Sequence, residues 1–163
     1  MAPYARVEVV LTLLIGGAIT ALLTWLAGGW WALLPAVVTV ALLSFYRDPP
    51  RQIPQGANLI LAPADGRIVE ITRHATGTDQ SPVARLMIFL SVFDVHVNRS
   101  PCAGRVLDVV YQPGEFLNAL SDASSSRNEC NTIVLAPQAP LPGPIAVRQI
   151  AGVLARRIVC AVQ

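Results

Sequence analysis

The sequence contains no lysine, and all 12 of its basic residues are arginines. This absence excludes a Schiff-base lysine, and with it ordinary pyridoxal-phosphate catalysis by this chain. It also excludes biotinyl and lipoyl carrier domains, because these are modified on an exposed lysine. The formal net charge of +2 is small, and no basic run is interleaved with aromatic residues. We therefore expect no nucleic-acid partner.

Cysteine and charged residues are also scarce. Cys102, Cys130 and Cys160 are widely spaced and form no C-x-x-C pair, so neither a metal site nor a redox motif is predicted. We interpret them as buried thiols in a reducing compartment. Charged residues make up 13% of the chain and hydrophobic residues 53%, which indicates a protein partly solvated by lipid. A chain of 163 residues has room for one modest domain beside a membrane segment.

Two apolar runs lie at residues 9–26 and 30–45, separated by two glycines. Each approaches the roughly 20 residues that a helix needs to cross a bilayer. Residues 1–46 are therefore predicted to be a hydrophobic membrane anchor of two helices. Arg6 precedes the first run and Arg47 and Arg51 follow the second, so the positive-inside rule places both ends in the cytoplasm. The alternative is a cleaved signal peptide in front of a secreted β domain.

A break in the helical pattern at residues 47–50 marks the start of a predicted domain at 47–163, since two prolines follow Arg47 and Asp48. We expect a mainly β (α+β) domain, a compact sandwich or barrel-like structure, with one or two helical turns near 116–120. The turn sequence Pro-Ala-Asp-Gly at 63–66 predicts a hairpin between the first two β-prone runs. The β-prone runs are 58–62, 67–72, 86–97, 105–111, 132–135, 145–150 and 158–162.

The end of the long run at 86–97 carries the most informative polar residues. In a strand, Asp94, His96 and Asn98 would share one face. Histidine exchanges a proton near neutral pH, and a neighbouring carboxylate can orient it. The alternative is that Asp94 and His96 satisfy each other at an exposed strand end. Likewise, Asp65 could be an ordinary turn residue, and the polar stretches at 111–119 and 128–131 could be ordinary loops.

Seven short stretches follow one another in a recognisable order: Arg-Asp-Pro at 47–49, Pro-Ala-Asp-Gly at 63–66, Phe-Leu-Ser at 89–91, Asp-Val-His-Val-Asn-Arg at 94–99, Pro-Gly-Glu-Phe-Leu-Asn-Ala at 113–119, Asn-Glu-Cys-Asn at 128–131 and Gln-Ile-Ala-Gly at 149–152. Taken in this order, they resemble the short phosphatidylserine decarboxylases of bacteria and archaea. Each stretch is a weak signal, but the ordered set is a strong one, and it extends from residue 45 to the end of the sequence. An apolar N-terminal anchor is also usual in that family.

The resemblance implies a proenzyme that cuts itself at a Gly-Ser bond, which leaves a pyruvoyl group at the start of a small second chain. This covalent group would bond to the amine of phosphatidylserine and accept the electrons released as carbon dioxide leaves, giving phosphatidylethanolamine. The expected location is the cell membrane, with the catalytic domain on the cytoplasmic side. The sequence has no Gly-Ser dipeptide. We therefore expect it to be the larger chain, inactive without the pyruvoyl-bearing small chain.

The resemblance also implies roles for individual residues. Asp65 matches the acidic residue that works with a histidine in self-cleavage, and His96 matches a histidine that assists proton transfer. Longer members have a second histidine where Arg99 stands here, so His96 serves both reactions or Arg99 takes an electrostatic part. The residues assigned to substrate binding are Asn98, Arg99, Asn118, Asn128, Glu129 and Asn131.

Several alternatives stay open at this point. A related serine lipid such as archaetidylserine could replace phosphatidylserine, and the oligomeric state, a homo-oligomer included, is undetermined. The competing hypothesis is a non-enzymatic, membrane-anchored β module that binds a partner. That hypothesis predicts that Asp65 and His96 lie far apart.

Overall fold

The computed structural model describes residues 1–56, 59–75, 82–141 and 143–162, without the side chains of residues 74, 75 and 82. Two helices at the N-terminus are followed by five strands and one short helix, which confirms the predicted mainly β domain behind a helical segment. The elements are α1 Arg6–Ala27, α2 Leu33–Phe45, β1 Arg67–Ala75, β2 Pro82–Phe89, β3 Gly104–Gln112, α3 Ser124–Arg127, β4 Cys130–Pro137 and β5 Ile145–Ile150, with short 3-10 turns at Pro3–Ala5 and Gly29–Ala32.

The chain divides into two compact units. The first, called here the helical unit, comprises Met1–Gln52, Ala64–Gly66 and Leu90–Asn98. The second, called here the sheet unit, comprises Ile53–Pro63, Arg67–Phe89 and Arg99–Gln163. The helical unit therefore contains the apolar helices together with two short segments that are distant in sequence.

Within the helical unit, α1 and α2 approach closely where Gly16 faces Thr39. A Cβ atom on Gly16 would lie 2.1 Å from Thr39 Oγ1, so only glycine permits this approach. Four threonine hydroxyls donate to the carbonyl four residues earlier, which satisfies them inside an apolar helix: these are Thr12, Thr20, Thr24 and Thr39. In the described part of the chain one helix, Pro3–Ala27, is long and apolar enough to cross a membrane, and α2 belongs to a shorter apolar segment.

Within the sheet unit, β1 and β2 form an antiparallel pair, and β3, β4 and β5 form a second antiparallel sheet in that order. The described residues form two open sheets and no closed barrel. Irregular pairing occurs between Ile68 and Glu70 in β1 and between Val106 and Asp108 in β3. The buried side chains are few and include Pro101, Cys130, Leu135 and Ala151.

The predicted hairpin at 63–66 is wrong, because the described residues 59–62 form no strand; Asn58 lies outside the described residues. The backbone of this segment bonds elsewhere: Leu61 N–H donates to Pro101 O, and Arg99 N–H donates to Pro63 O, each at 2.8 Å. These bonds remove the partner that a hairpin would need.

Four further local predictions are wrong in whole or in part. The strand predicted at 86–97 ends at Phe89, and no strand forms at 158–162. The short helix occupies Ser124–Arg127 rather than 116–120. Of the cysteines, Cys130 is buried as predicted, whereas Cys102 is half-buried and Cys160 is exposed.

Candidate active site

A tight turn at residues 91–94 follows β2 and shapes the segment that carries His96. Ser91 N–H donates to Asp94 Oδ2 at 2.7 Å, and Asp94 N–H donates to Ser91 O at 3.0 Å. Aspartate side chains compete in this way with strand pairing, since they offer the backbone a local partner. The predicted strand face shared by Asp94, His96 and Asn98 is therefore wrong. The hydrogen bonds from Ser91 also lower the pKa of the Asp94 carboxyl, so it stays ionised.

His96 is half-buried on this segment, and its Nδ1 lies 3.0 Å from the backbone carbonyl oxygen of Asp94. A carbonyl oxygen only accepts, so Nδ1–H donates and Nε2 carries the lone pair of the neutral ring. Burial lowers the pKa of His96 below its usual 6.5 and the nearby charge of Arg47 lowers it further, against an opposing contribution from Asp94. At neutral pH, His96 is therefore a neutral imidazole with a basic Nε2.

The C-terminal end of α2 contacts the same segment. The Phe45 ring lies over the His96 imidazole, with ring centroids 4.0 Å apart and an angle of 32° between the planes. Arg47 donates from Nη1 to Ser44 O at 2.9 Å and from Nη2 to Phe93 O. The helix end and the histidine segment are thus joined both by a ring contact and by a guanidinium.

Asp65 belongs to the same helical unit and forms an ion pair with Arg51, with 3.0 Å between Asp65 Oδ1 and Arg51 Nη1. The Asp65 side chain is 42% exposed. An ion pair of such exposure contributes less than about 1 kcal/mol to stability, so its effect is to orient the carboxylate. Both predicted catalytic residues, Asp65 and His96, therefore lie in one unit together with the apolar helices.

Asn98 and Arg99 lie at the boundary between the two units in sequence. Asn98 Oδ1 is buried and accepts no hydrogen bond from any residue in the described ranges. Arg99 has an exposed side chain, and its backbone N–H bonds to Pro63. A buried polar atom without a protein partner is uncommon and often marks a functional position.

In the sheet unit, Asn128 is 3% exposed and forms three hydrogen bonds to backbone groups. Its Oδ1 accepts from Leu117 N–H at 2.9 Å, and its Nδ2 donates to Leu117 O at 2.9 Å and to Ala151 O at 2.8 Å. Asn118 lies in the same loop, and its Oδ1 accepts from Leu120 N–H at 3.0 Å. Asn128 therefore holds the loop that contains Asn118 against Ala151.

The two remaining predicted residues lie at the start of β4. Desolvation raises the pKa of Tyr111, and the hydrogen bond from its hydroxyl to the Glu129 side chain, together with the charge of Glu129, raises it further. Asn131 is 2% exposed, and its Nδ2 finds no hydrogen-bond partner within the described parts of the chain. Asn131 is aligned with Tyr111 on β3 and with Gln149 on β5.

The sequence interpretation missed three contacts of the site: the ring of Phe45, the guanidinium of Arg47 and the pairing of Arg51 with Asp65. Arg47 was recognised as a charge flanking an apolar run and as part of a matching stretch, and no pattern in the sequence indicates which distant carbonyl it binds. In the ranges the structure describes, no group of three or more His, Cys, Asp or Glu side chains could hold a metal ion.

The family model and the relatives that match this chain all point to one family. Residues 38–163 match the model of the family described as phosphatidylserine decarboxylase. The chain is 43% identical over 134 residues to a protein of Cupriavidus taiwanensis, 41% identical over 148 residues to one of Cupriavidus metallidurans and 43% identical over 148 residues to one of Burkholderia pseudomallei. All three are named phosphatidylserine decarboxylase proenzyme.

These alignments cover 82%, 90% and 90% of this chain, and 62%, 68% and 67% of the respective relatives. The chain thus spans about three fifths of the length of the first of these relatives.

Proposed function

Since the chain belongs to the phosphatidylserine decarboxylase family, we propose that it is the larger chain of a pyruvoyl-dependent enzyme. The enzyme decarboxylates phosphatidylserine to phosphatidylethanolamine in phospholipid synthesis, after self-cleavage of a proenzyme. The observation that carries the proposal is the environment of His96, which makes the imidazole a neutral proton acceptor at physiological pH. Proton transfer at a reacting carbon requires such a group.

The chemistry of the helical unit fits a pyruvoyl group. When bound, the pyruvoyl carbonyl supplies the electron sink for loss of carbon dioxide. His96 offers a lone pair at Nε2 for taking up and returning a proton, while Nδ1 stays on the Asp94 carbonyl. The contacting Phe45 ring limits the access of water to one face of the imidazole. His96 therefore moves the proton, and Asp94 holds the tautomer.

Asp65 is proposed to act with His96 in self-cleavage. A serine hydroxyl becomes a nucleophile when a neighbouring base takes its proton, and a carboxylate and an imidazole in one unit are suited to that task. Arg51 orients the carboxylate through the ion pair. With one histidine in the motif at 94–99, His96 serves both self-cleavage and decarboxylation, and the positive charge of Arg99 assists the anionic headgroup.

The proposed substrate contacts lie in both units. Asn98 Oδ1 and Asn131 Nδ2 support this role because both atoms are buried and make no hydrogen bond among the described residues. Asn128 contributes through the loop that it fixes, which contains Asn118. The proposed set of substrate contacts also includes Asn118, Glu129 and Arg99.

Membrane attachment and a second chain complete the proposal. The helix Pro3–Ala27 would anchor the enzyme, and the arginines that flank the two apolar runs support a catalytic domain on the cytoplasmic side. The small pyruvoyl-bearing chain is the proposed partner. Strand β5 is an edge of its sheet, so the backbone along its outer side is available for a strand of that chain.

The test is intact-mass analysis of the full-length gene product after expression, with Asp65→Ala and His96→Ala variants. We expect the wild type to give two fragments, the smaller one beginning with a pyruvoyl group, and both variants to remain uncut. Asp108→Ala and His74→Ala are the matched controls, and both should be cut like the wild type. A single uncut wild-type chain without a reducible carbonyl would remove the proposed catalyst and favour the membrane-anchored binding module.

A further inference from the structure

Hydrogen bonds fix the C-terminal end of α2, and Arg47, which donates one of them, also contacts the segment that carries His96. The last carbonyls of a helix lack intrahelical partners, and a nearby arginine can satisfy them. Arg47 does so by donating from Nη1 to Ser44 O at 2.9 Å. The carbonyl of Tyr46 accepts from Ala2 N–H at 2.8 Å. The end of the apolar helix is thereby fixed on two sides.

The second nitrogen of the same guanidinium donates to Phe93 O. Phe93 is the residue before Asp94, whose own carbonyl receives Nδ1–H of His96. A single planar side chain therefore links the last turn of α2 to the backbone that orients the imidazole. Lysine could not reproduce this link, because its ammonium lacks the fixed two-nitrogen geometry of a guanidinium.

The second connection is the contact between Phe45 and His96, whose ring centroids are 4.0 Å apart. Phe45 is the last residue of α2, so its position depends on where the helix ends. A ring on one face and a hydrogen bond at Nδ1 together restrict the rotation of the imidazole. The direction of Nε2 is set by these two restraints.

We propose that Phe45 and Arg47 are positioning residues for His96, through which the end of the apolar helix sets the direction of the imidazole Nε2. This inference rests on the proposed function of His96, and it assigns a role to the Arg-Asp-Pro stretch at 47–49. The apolar helices thereby contribute to the geometry of proton transfer in addition to attaching the enzyme to a membrane.

The first test measures turnover against pH for the full-length, self-cleaved protein in nanodiscs, with phosphatidylserine as the probe. We expect Arg47→Gln and Phe45→Leu to lower kcat by roughly 10-fold to 100-fold, because a misplaced catalytic group costs about that much, while KM stays within about 2-fold, as positioning of His96 acts on the chemical step. The matched control is Arg105→Gln on β3, whose side chain is exposed; it should keep wild-type kcat.

The pH dependence of turnover adds a measurement that a purely structural role of Arg47 would leave unchanged. In the described part of the chain, the charged groups that shift the pKa of His96 are Arg47 at the end of α2 and Asp94 on the same segment as His96. Arg47 holds the pKa of His96 down, so Arg47→Gln should move the acid limb of the rate profile to higher pH. Arg47→Lys keeps the charge and should keep the limb in place, yet recover kcat only in part. Wild-type kcat and an unchanged acid limb in Arg47→Gln would overturn the proposal.

A second measurement separates this inference from the proposed function. The imidazole of His96 can be titrated by NMR in the same nanodiscs without any turnover. An inactive wild type refutes the proposed function, whereas an unshifted His96 titration in Arg47→Gln refutes the positioning role even if the wild type is active. If Arg47→Gln fails to fold by circular dichroism, Phe45→Leu decides by the same titration: loss of the ring should raise the pKa of His96 because burial decreases, and an unchanged titration refutes the role.

Discussion

Replacing Asn128 by alanine should destabilise the sheet unit strongly although Asn128 is a polar residue in a loop. The substitution removes three hydrogen bonds and leaves Ala151 O, in a residue that is 1% exposed, without a partner. A buried backbone group that loses its partner costs about 1–3 kcal/mol. The two groups on half-buried Leu117 can reach water more easily and add about 0.5 kcal/mol each. We therefore expect a loss of about 3 kcal/mol.

The assay is urea unfolding of the full-length protein in detergent. Unfolding is monitored by far-UV circular dichroism, through the signal of the β-strands. Asn118→Ala is the matched control, since that exposed side chain has one backbone bond at 3.0 Å and should cost less than about 1 kcal/mol. Asn128→Asp keeps the shape but cannot donate to Leu117 O and Ala151 O, so it should be at least as damaging as alanine. If Asn128→Ala costs no more than Asn118→Ala, the three-bond account of the loop is incorrect.

Two further predictions concern close packing and pH. Gly114→Ala would place a Cβ atom 2.4 Å from Arg127 O, and because backbone cannot move aside easily, the free energy of unfolding should fall by about 2 kcal/mol. In the described ranges a Cβ atom on Gly17 would meet no atom within 4 Å beyond its chain neighbours and its own helix backbone, so Gly17→Ala should not lower the free energy of unfolding in the same urea assay. The Ser91 N–H holds the pKa of Asp94 below its usual 3.8, so this carboxylate adds stability above its unfolded pKa that is lost as the pH falls through the folded value. Wild-type stability should therefore fall more steeply than that of Asp94→Asn on acidification below about pH 4, and parallel curves would contradict this.

The broad architecture could be predicted from the sequence because it depends on composition and periodicity. The apolar runs at 9–26 and 30–45 became α1 and α2, with the glycine pair between them. The run at 145–150 became β5 with the predicted bounds, and 105–111 lies within β3. Such elements bury or pair residues in a regular pattern, and a regular pattern can be recognised in the sequence alone.

The geometry around His96 could not be predicted in the same way. The β-prone residues after Phe89 favour a strand, but the bonds between Ser91 and Asp94 close a turn instead. A local side-chain hydrogen bond outcompeted the strand preference of valine and phenylalanine, and the alternation argument failed with it. The family resemblance indicated Asp65 and His96 without reference to the local conformation, and their catalytic roles stay a prediction.

Contacts between distant segments were the least accessible to sequence reasoning. The pairing of Arg51 with Asp65 spans the first strand of the predicted hairpin, and the link from Arg47 to Phe93 spans the whole of β1 and β2. Both arginines appeared in the sequence as charges flanking an apolar run, and Arg47 also belonged to a matching stretch. Their partners depend on the three-dimensional path of the chain.

The central claim, that His96 transfers the proton in a decarboxylation, is tested most directly by lipid mass spectrometry with phosphatidylserine as substrate. The purified, full-length wild type should form phosphatidylethanolamine and an equal amount of carbon dioxide. His96→Gln should be slower by at least roughly 100-fold, because it loses the proposed general acid or base and also the self-cleavage that forms the pyruvoyl group. No product from the wild type, or product from His96→Gln at the wild-type rate, would contradict the account.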